Sequence, residues 1–229
     1  MVPNLLLCGI VGSTAYGLAG TDSDVDRLGV YAAPTVAFHG LTPPTGREAS
    51  IVRHDPDVTY HEAAKAATLL LAGNPTVTEI LWLPDDLYEV RTPLGAEMID
   101  IRAAFLSANR VRDAYFGYAT AQLKRLLTTG QFQSKMRRRQ AKHGRHLLRL
   151  LDQGFALYAT GTLPIRVADP QRYLDFGEAV AADPEAARPA LAAAEARFDA
   201  VTSPLPAEPD RATVEAWLHR VRRAFLEPA

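Results

Sequence analysis

The sequence changes period near residue 92, and that change constrains the fold more than any other feature. Before it, apolar residues come in short runs punctuated by Gly, Pro, Asn and Asp, the pattern of strands and turns. After it, they recur three and four residues apart over long stretches, the pattern of helices. Leu5 to Val11 is a short apolar run closed by Gly12 and reads as a buried strand, and residues 25–32 read as a second. Residues 51–54 and 57–60 read as extended segments around the turn Asp55-Pro56, extending the same sheet. Residues 34–50, rich in Pro, Gly and Thr, read as an ordered loop.

Residues 61–72 have helical composition, with Ala63, Ala67, Leu70 and Leu71 on one side and Gly73 placed to stop them. Asn74-Pro75 reads as the start of another helix, with Thr76-Val77-Thr78-Glu79 as a capping box. Farther on, residues 112–128 and 132–158 suggest an antiparallel helix pair with Gly130 between them. Residues 179–201 read as a short helix, a turn and a longer helix, because Pro184 and Pro189 interrupt an alanine-rich run. After the stiff connector 203–209, Asp210 caps a last helix whose Val214, Trp217, Leu218, Val221 and Phe225 make one apolar stripe, read as core. The 229 residues suffice for two small domains, and the change of period divides them into 1–99 and 100–229.

The single cysteine, Cys8, lies within the first apolar run and reads as a buried structural thiol, with no disulfide and no thiolate pair for zinc. No basic region precedes that run and no stretch is long enough to span a bilayer, so the expectation is a soluble, cytoplasmic protein with no membrane partner. The net charge of −1 conceals a strong asymmetry. Residues 100–150 carry 12 Lys/Arg against 2 Asp/Glu, while acidic residues prevail on both sides. Such a block suits a nucleoside triphosphate or a nucleic-acid backbone, or is simply a solvated helix face.

Chemistry concentrates at Gly12-Ser13 and Asp24-Val25-Asp26. A glycine turn after a strand lets backbone amides approach a phosphate, and Ser13 adds a hydroxyl donor. In an extended segment Asp24 and Asp26 share one face. Two ionised carboxylates a few ångströms apart repel by about 1 kcal/mol in water and more near protein, whereas Mg2+ or Mn2+ between them reverses the sign. Mg2+ takes one or two carboxylates together with substrate phosphates. The plainer alternative is a solvated turn over residues 21–24. A third carboxylate is expected at Asp57, heading its extended segment, with Asp55 as the alternative. Lys142, His146 and Arg149 fall at i, i+4 and i+7 and form one polar helix face suited to the β and γ phosphates of a triphosphate, with Gln153 continuing the line. Lys65 is a further candidate for the same phosphates.

The string Gly12-Ser13-Thr14-Ala15-Tyr16-Gly17-Leu18, with Ser23-Asp24-Val25-Asp26 and Gly29-Val30-Tyr31, resembles the signature of polymerase-beta-like nucleotidyltransferases. Several further segments are similar to the narrower family of predicted nucleotidyltransferases called RNA ligase partners: Gly73-Asn74-Pro75-Thr76-Val77, Glu79-Ile80-Leu81-Trp82, Gly117-Tyr118-Ala119 with Gln122-Leu123, Lys142 with His146 and Arg149, and Thr160-Gly161-Thr162-Leu163-Pro164. The resemblance implies an α+β fold: a small mixed β-sheet nucleotidyltransferase domain with flanking helices, plus a C-terminal helical domain closing the NTP cleft. It implies transfer of a nucleoside monophosphate from an NTP with release of pyrophosphate. Gly12 and Ser13 would bind the triphosphate, Asp24 and Asp26 the metals, and Asp57 would complete the carboxylates. His61-Glu62-Ala63-Ala64 departs from the pattern in being less apolar.

The acceptor is expected to be an RNA end, reached through the basic segment 100–150 and with an RNA ligase as partner protein; a protein hydroxyl or a small molecule competes. A nucleotide-sugar glycosyltransferase normally has a long nucleotide-binding region ahead of its Asp-x-Asp, and only 23 residues precede Asp24. A catalytically silent nucleotide-binding regulator is the non-enzymatic rival, and the retained carboxylates weigh against it. No Gly-x-x-x-x-Gly-Lys-Ser/Thr string is present, which disfavours a P-loop NTPase.

Overall fold

Five strands form one mixed sheet: β1 (Leu5–Ile10), β2 (Arg27–Tyr31), β3 (Ser50–His54), β4 (Asp57–Glu62) and β5 (Tyr88–Arg91), ordered β3-β4-β2-β1-β5. β2 and β4 run parallel and every other neighbouring pair is antiparallel. The computed structural model describes residues 4–21, 23–128 and 134–227, with 128 and 134–136 described by backbone alone. The helices among them are α1 (Gly12–Tyr16), α2 (Ala63–Leu71), α3 (Pro75–Thr78), α4 (Pro93–Asp100), α5 (Ala108–Thr128), α6 (Ser134–Thr160), α7 (Pro170–Ala182), α8 (Ala187–Asp199) and α9 (Arg211–Ala224). The fold is therefore α+β. Among the described residues no helix is long and apolar enough to cross a membrane. Asp22 and Gly130 lie outside the described residues.

The chain divides into two units, Met1–Leu106 with Glu208–Ala229, and Ser107–Ala207. In the first, β1 sits inside the sheet with Leu6, Leu7 and Cys8 buried, as a near-continuous apolar run requires. Burial pushes the Cys8 thiol up to about 11, so it is an inert packing group. Thr92 joins α4 to β1. Its N–H and Oγ1 both donate to the Leu6 carbonyl, at 3.0 and 2.9 Å, while the same Oγ1 accepts from Gly95 N–H. α4 lies so close to β1 that a side chain at Gly95 would collide with the Leu6 carbonyl.

The last helix is the main difference from the two-part division read from the sequence. α9 packs on α2 and α4, within the sheet unit. Its stripe is core as expected: Val214, Trp217 and Val221 are buried, and Trp217 Nε1 donates to the Leu94 carbonyl at 3.0 Å. Burying a side chain of that size stabilises by about 2–3 kcal/mol, and the sheet unit offers the apolar surface that makes it available. Arg222 adds a bidentate pair to Glu62, 2.7 and 3.0 Å, with Glu62 only 1% exposed. The loop 34–50 is also fastened here, because Thr35 and Val36 N–H donate to the Phe225 and Leu226 carbonyls.

Other local differences have short-range causes. β5 and α4 are absent from the sequence reading, because Tyr88-Glu89-Val90-Arg91 is only four residues long and lies at the sheet edge. Asn74, and not the Thr76–Glu79 box, caps α3, its Oδ1 accepting from Thr76 and Val77 N–H. α2 begins at Ala63 because β4 continues to Glu62, whose carboxylate accepts from Ala64 N–H.

The second unit is a helical assembly in which α6 packs against α5, α7 and α8. Gly144 and Gly177 let α6 and α7 cross closely: a Cβ on Gly177 would lie 2.8 Å from the Ala141 carbonyl. Phe198 of α8 anchors the apolar centre, with the rings of Phe116, Tyr158 and Phe155 at 4.9, 5.0 and 5.4 Å. Asp152 gathers Arg172, Tyr173 and Arg197 from α7 and α8.

Candidate active site

β1 ends where Gly12 turns the chain, and that turn meets the segment leading into β2. Gly12 has φ +71°, the left-handed region that L side chains avoid. A Cβ there would overlap Asp26 Oδ2 and lie 3.2 Å from its Cγ. Val11 N–H donates to the Asp26 carbonyl at 2.9 Å, fixing the two segments together. Glycine is therefore required at position 12 twice over, by its backbone angle and by the carboxylate packed against it. Ser13 follows in α1, where the Gly17 cap, φ +75°, ends the single turn.

β2 begins at Arg27, so Asp24 and Asp26 occupy the extended approach to the strand. Asp26 is half-buried and Asp24 is exposed. In the parallel pairing Arg27 stands opposite Val58. One residue earlier the heads of the two strands are Asp26 and Asp57, on neighbouring chains about 4.8 Å apart. The backbone thus brings Asp57 to the same sheet edge as the Asp24–Asp26 segment. Among the described residues, no three His, Cys, Asp or Glu side chains converge as a metal cluster, so the side chain of Asp57, which is exposed, is not gathered with the other two. The donor set at this edge consists of carboxylate oxygens beside a glycine cradle, chemistry that fits a hard divalent cation and not zinc or a soft metal.

The sheet does not bring Lys65 to that edge. It follows β4, whose six residues run away from Asp57 for roughly 16 Å, and its Nζ donates to the Gly46 carbonyl at 2.7 Å. The physical reason is strand direction: the first turn of α2 starts from the far end of β4. His61 lies there too, with Nδ1 2.8 Å from Ser50 Oγ, and burial together with the Lys65 ammonium pulls it down to about 4.

In the helical unit Lys142, His146 and Arg149 share α6 as their spacing indicates. Lys142 is exposed and Arg149 is 2% exposed. Arg149 Nη2 lies 2.9 Å from His146 Nδ1, and Nη1 donates to Gln153 Oε1 at 2.5 Å. Gln153 Nε2 then donates to the Pro164 and Ile165 carbonyls. Burial, and after it the Arg149 guanidinium, pulls His146 down to about 3, so the imidazole is neutral and accepts from Arg149.

Two interactions at the sheet unit escape reading from the sequence. Tyr16 Oη lies 2.6 Å from both carboxylate oxygens of Glu79, which is 1% exposed, and so ties α1 to the turn after α3. Both residues stand in the motifs quoted above, but nothing in either motif reveals that they meet. Arg27, next to Asp26, is held by Glu89 of β5 at 2.9 Å. Its signal was hidden because β5 itself was not legible.

Among curated proteins there is no match to the chain. Comparison with known families gives a match over residues 2–206 to the RNA repair pathway DNA polymerase beta family. That match spans both the glycine and carboxylate segments and every helix of the helical unit. The chain belongs to the RNA repair pathway DNA polymerase beta family, polymerase beta-like nucleotidyltransferases associated with RNA repair.

Proposed function

We propose that the protein transfers a nucleoside monophosphate from an NTP to a hydroxyl at an RNA end, releasing pyrophosphate. The observation that carries this reading is the contact of the Gly12 turn with the Asp26 carboxylate, which joins a phosphate-sized backbone cradle to a carboxylate edge. In the reaction the acceptor oxygen attacks the α-phosphorus. The bond from that phosphorus to the bridging oxygen breaks, and pyrophosphate departs with the electron pair. The hydroxyl proton passes to a carboxylate of the edge. Gly12 and Ser13 bind the triphosphate through backbone N–H groups and the Ser13 hydroxyl. Asp24 and Asp26 would hold Mg2+ or Mn2+, and Asp57, brought to the same sheet edge by its backbone, would supply the third carboxylate once its side chain turns toward them. The bound cation supplies charge neutralisation at the phosphates and lowers the pKa of the attacking hydroxyl.

The test is transfer of label from each α-labelled NTP, with Mg2+ or Mn2+, into RNAs of defined ends, with pyrophosphate measured in parallel. The wild type labels RNA and releases pyrophosphate. The double variant Asp24→Ala with Asp26→Ala loses transfer and keeps its circular dichroism and thermal midpoint, since removing neighbouring like charges costs the fold little. No labelling of RNA and no release of pyrophosphate with any acceptor, or an unfolded double variant, refutes the reading.

A further inference from the structure

The sheet unit carries a recess of about 220 Å³, lined by Trp82, Asp85, Tyr88, Arg91 and Arg102 over a floor of Leu81, Leu83 and Ile99. Two guanidiniums and two aromatic rings meet there. Arg102 lies over the Trp82 ring, 5.6 Å from its centroid, and its guanidinium hydrogen-bonds to none of the described residues. Arg91 lies 5.7 Å from the centroid of Tyr88, whose Oη is anchored to the Ile80 carbonyl at 2.7 Å. The carboxylate partner of Arg91 is Asp85, at 3.1 Å, with the Asp85 side chain 91% exposed. So exposed a pair contributes little and is readily exchanged for a phosphate.

We propose that this recess binds one nucleotide of a single-stranded RNA: the exposed Arg102 guanidinium swings off the Trp82 ring to a phosphate that Arg91 also holds, and the base takes its place on the indole. The chemistry is that of single-strand recognition: an aromatic platform beside cations that track the backbone. Size selects a strand over a free nucleotide, because pockets that enclose a whole small ligand span about 300–1,000 Å³, and this recess holds one part of a longer molecule. Position selects the acceptor. Tyr88 pairs with Gly9 and Arg91 with Leu7, three and five residues before Gly12, so the strand that lines the recess lies about 10–16 Å along β1 from the glycine turn. The identity of the strand as the acceptor rests on the transferase reading; the binding of RNA at the recess does not.

The test is equilibrium binding of a fluorescent single-stranded oligoribonucleotide, without metal or NTP, to the full chain and to Arg102→Ala, Arg102→Lys and Trp82→Phe. Arg102→Ala weakens binding roughly tenfold or more and lowers the salt slope by about one; Arg102→Lys restores part of the loss. The chain has two tryptophans, and Trp217 is fully buried, so RNA quenches the fluorescence of Trp82 and the quench disappears in Trp82→Phe. Arg102→Ala keeps its circular dichroism, since that side chain is exposed. The proposal is overturned if the wild type binds no RNA, if Arg102→Ala binds RNA as well as the wild type, or if that variant loses affinity for ATP and not for RNA. RNA binding that depends on Arg102, in a protein that transfers nothing to RNA, sustains the recess and refutes the transferase reading alone.

Discussion

Gly12→Ala separates a backbone requirement from a functional one, because Gly17 supplies its control. Both glycines have positive φ, +71° and +75°. A Cβ on Gly17 meets nothing within 4 Å, whereas one on Gly12 overlaps the Asp26 carboxylate. Each substitution incurs the left-handed backbone cost, about 1–2 kcal/mol. Gly12→Ala adds the displacement of Asp26, about 1–3 kcal/mol if the site resists and little if the carboxylate swings away. At roughly 2–4 °C per kcal/mol for a chain of this size, Gly17→Ala lowers the thermal midpoint by about 2–8 °C and Gly12→Ala by at least as much. Activity divides them more sharply. A carboxylate moved by about an ångström costs on the order of 100-fold in rate, so Gly12→Ala loses NTP-dependent labelling of RNA by about that factor while Gly17→Ala retains it. The assay is initial rate against Mg2+ concentration for both variants, with calorimetry on the same samples. Normal labelling by Gly12→Ala, or an equal loss in Gly17→Ala, refutes the claim that the Gly12–Asp26 contact builds the site.

Arg222→Ala strands the buried Glu62 carboxylate and destabilises the sheet unit by about 3 kcal/mol, the lower end for a broken buried pair because the Arg222 side chain is 17% exposed; denaturant unfolding measures it, and a change below about 1 kcal/mol would contradict the packing assigned to α9. His146 takes up its proton near pH 3 in the folded chain, against an ordinary value of 6.5. The unfolded state therefore binds more protons between those limits. Stability contributed by the neutral imidazole is full above pH 6.5 and is lost as pH falls toward 3. His61, held down to about 4, acts in the same direction. His146→Asn keeps an acceptor for Arg149 and reduces the acid slope of unfolding free energy; an unaltered slope would show that His146 titrates normally.

The elements of the site were legible because each is local. An apolar run ending in glycine makes β1 and its turn, and Asp24-Val25-Asp26 carries its charge wherever it is placed. The start of α3 at Asn74-Pro75, the stop at Gly73 and the apolar stripe of α9 likewise depend on residues a few positions apart. β5 was not legible, since a four-residue edge strand has too few residues to declare a period and is stabilised by pairing with β1.

Residue order is enough to place a glycine turn and a carboxylate pair in a strand-rich N-terminal part, to bury Cys8 and to concentrate the basic residues in the long helices. Tertiary structure alone decided which of these meet. It packed the Asp26 carboxylate on Gly12, set Asp57 beside β2 and left Lys65 at the far end of β4. It also returned α9 to the sheet unit through Arg222 and Glu62, 160 residues apart. The physical reason is range. Turn and helix preferences are settled by backbone sterics and near neighbours, whereas strand direction and the partners of buried charges are settled by which surfaces the whole chain removes from water.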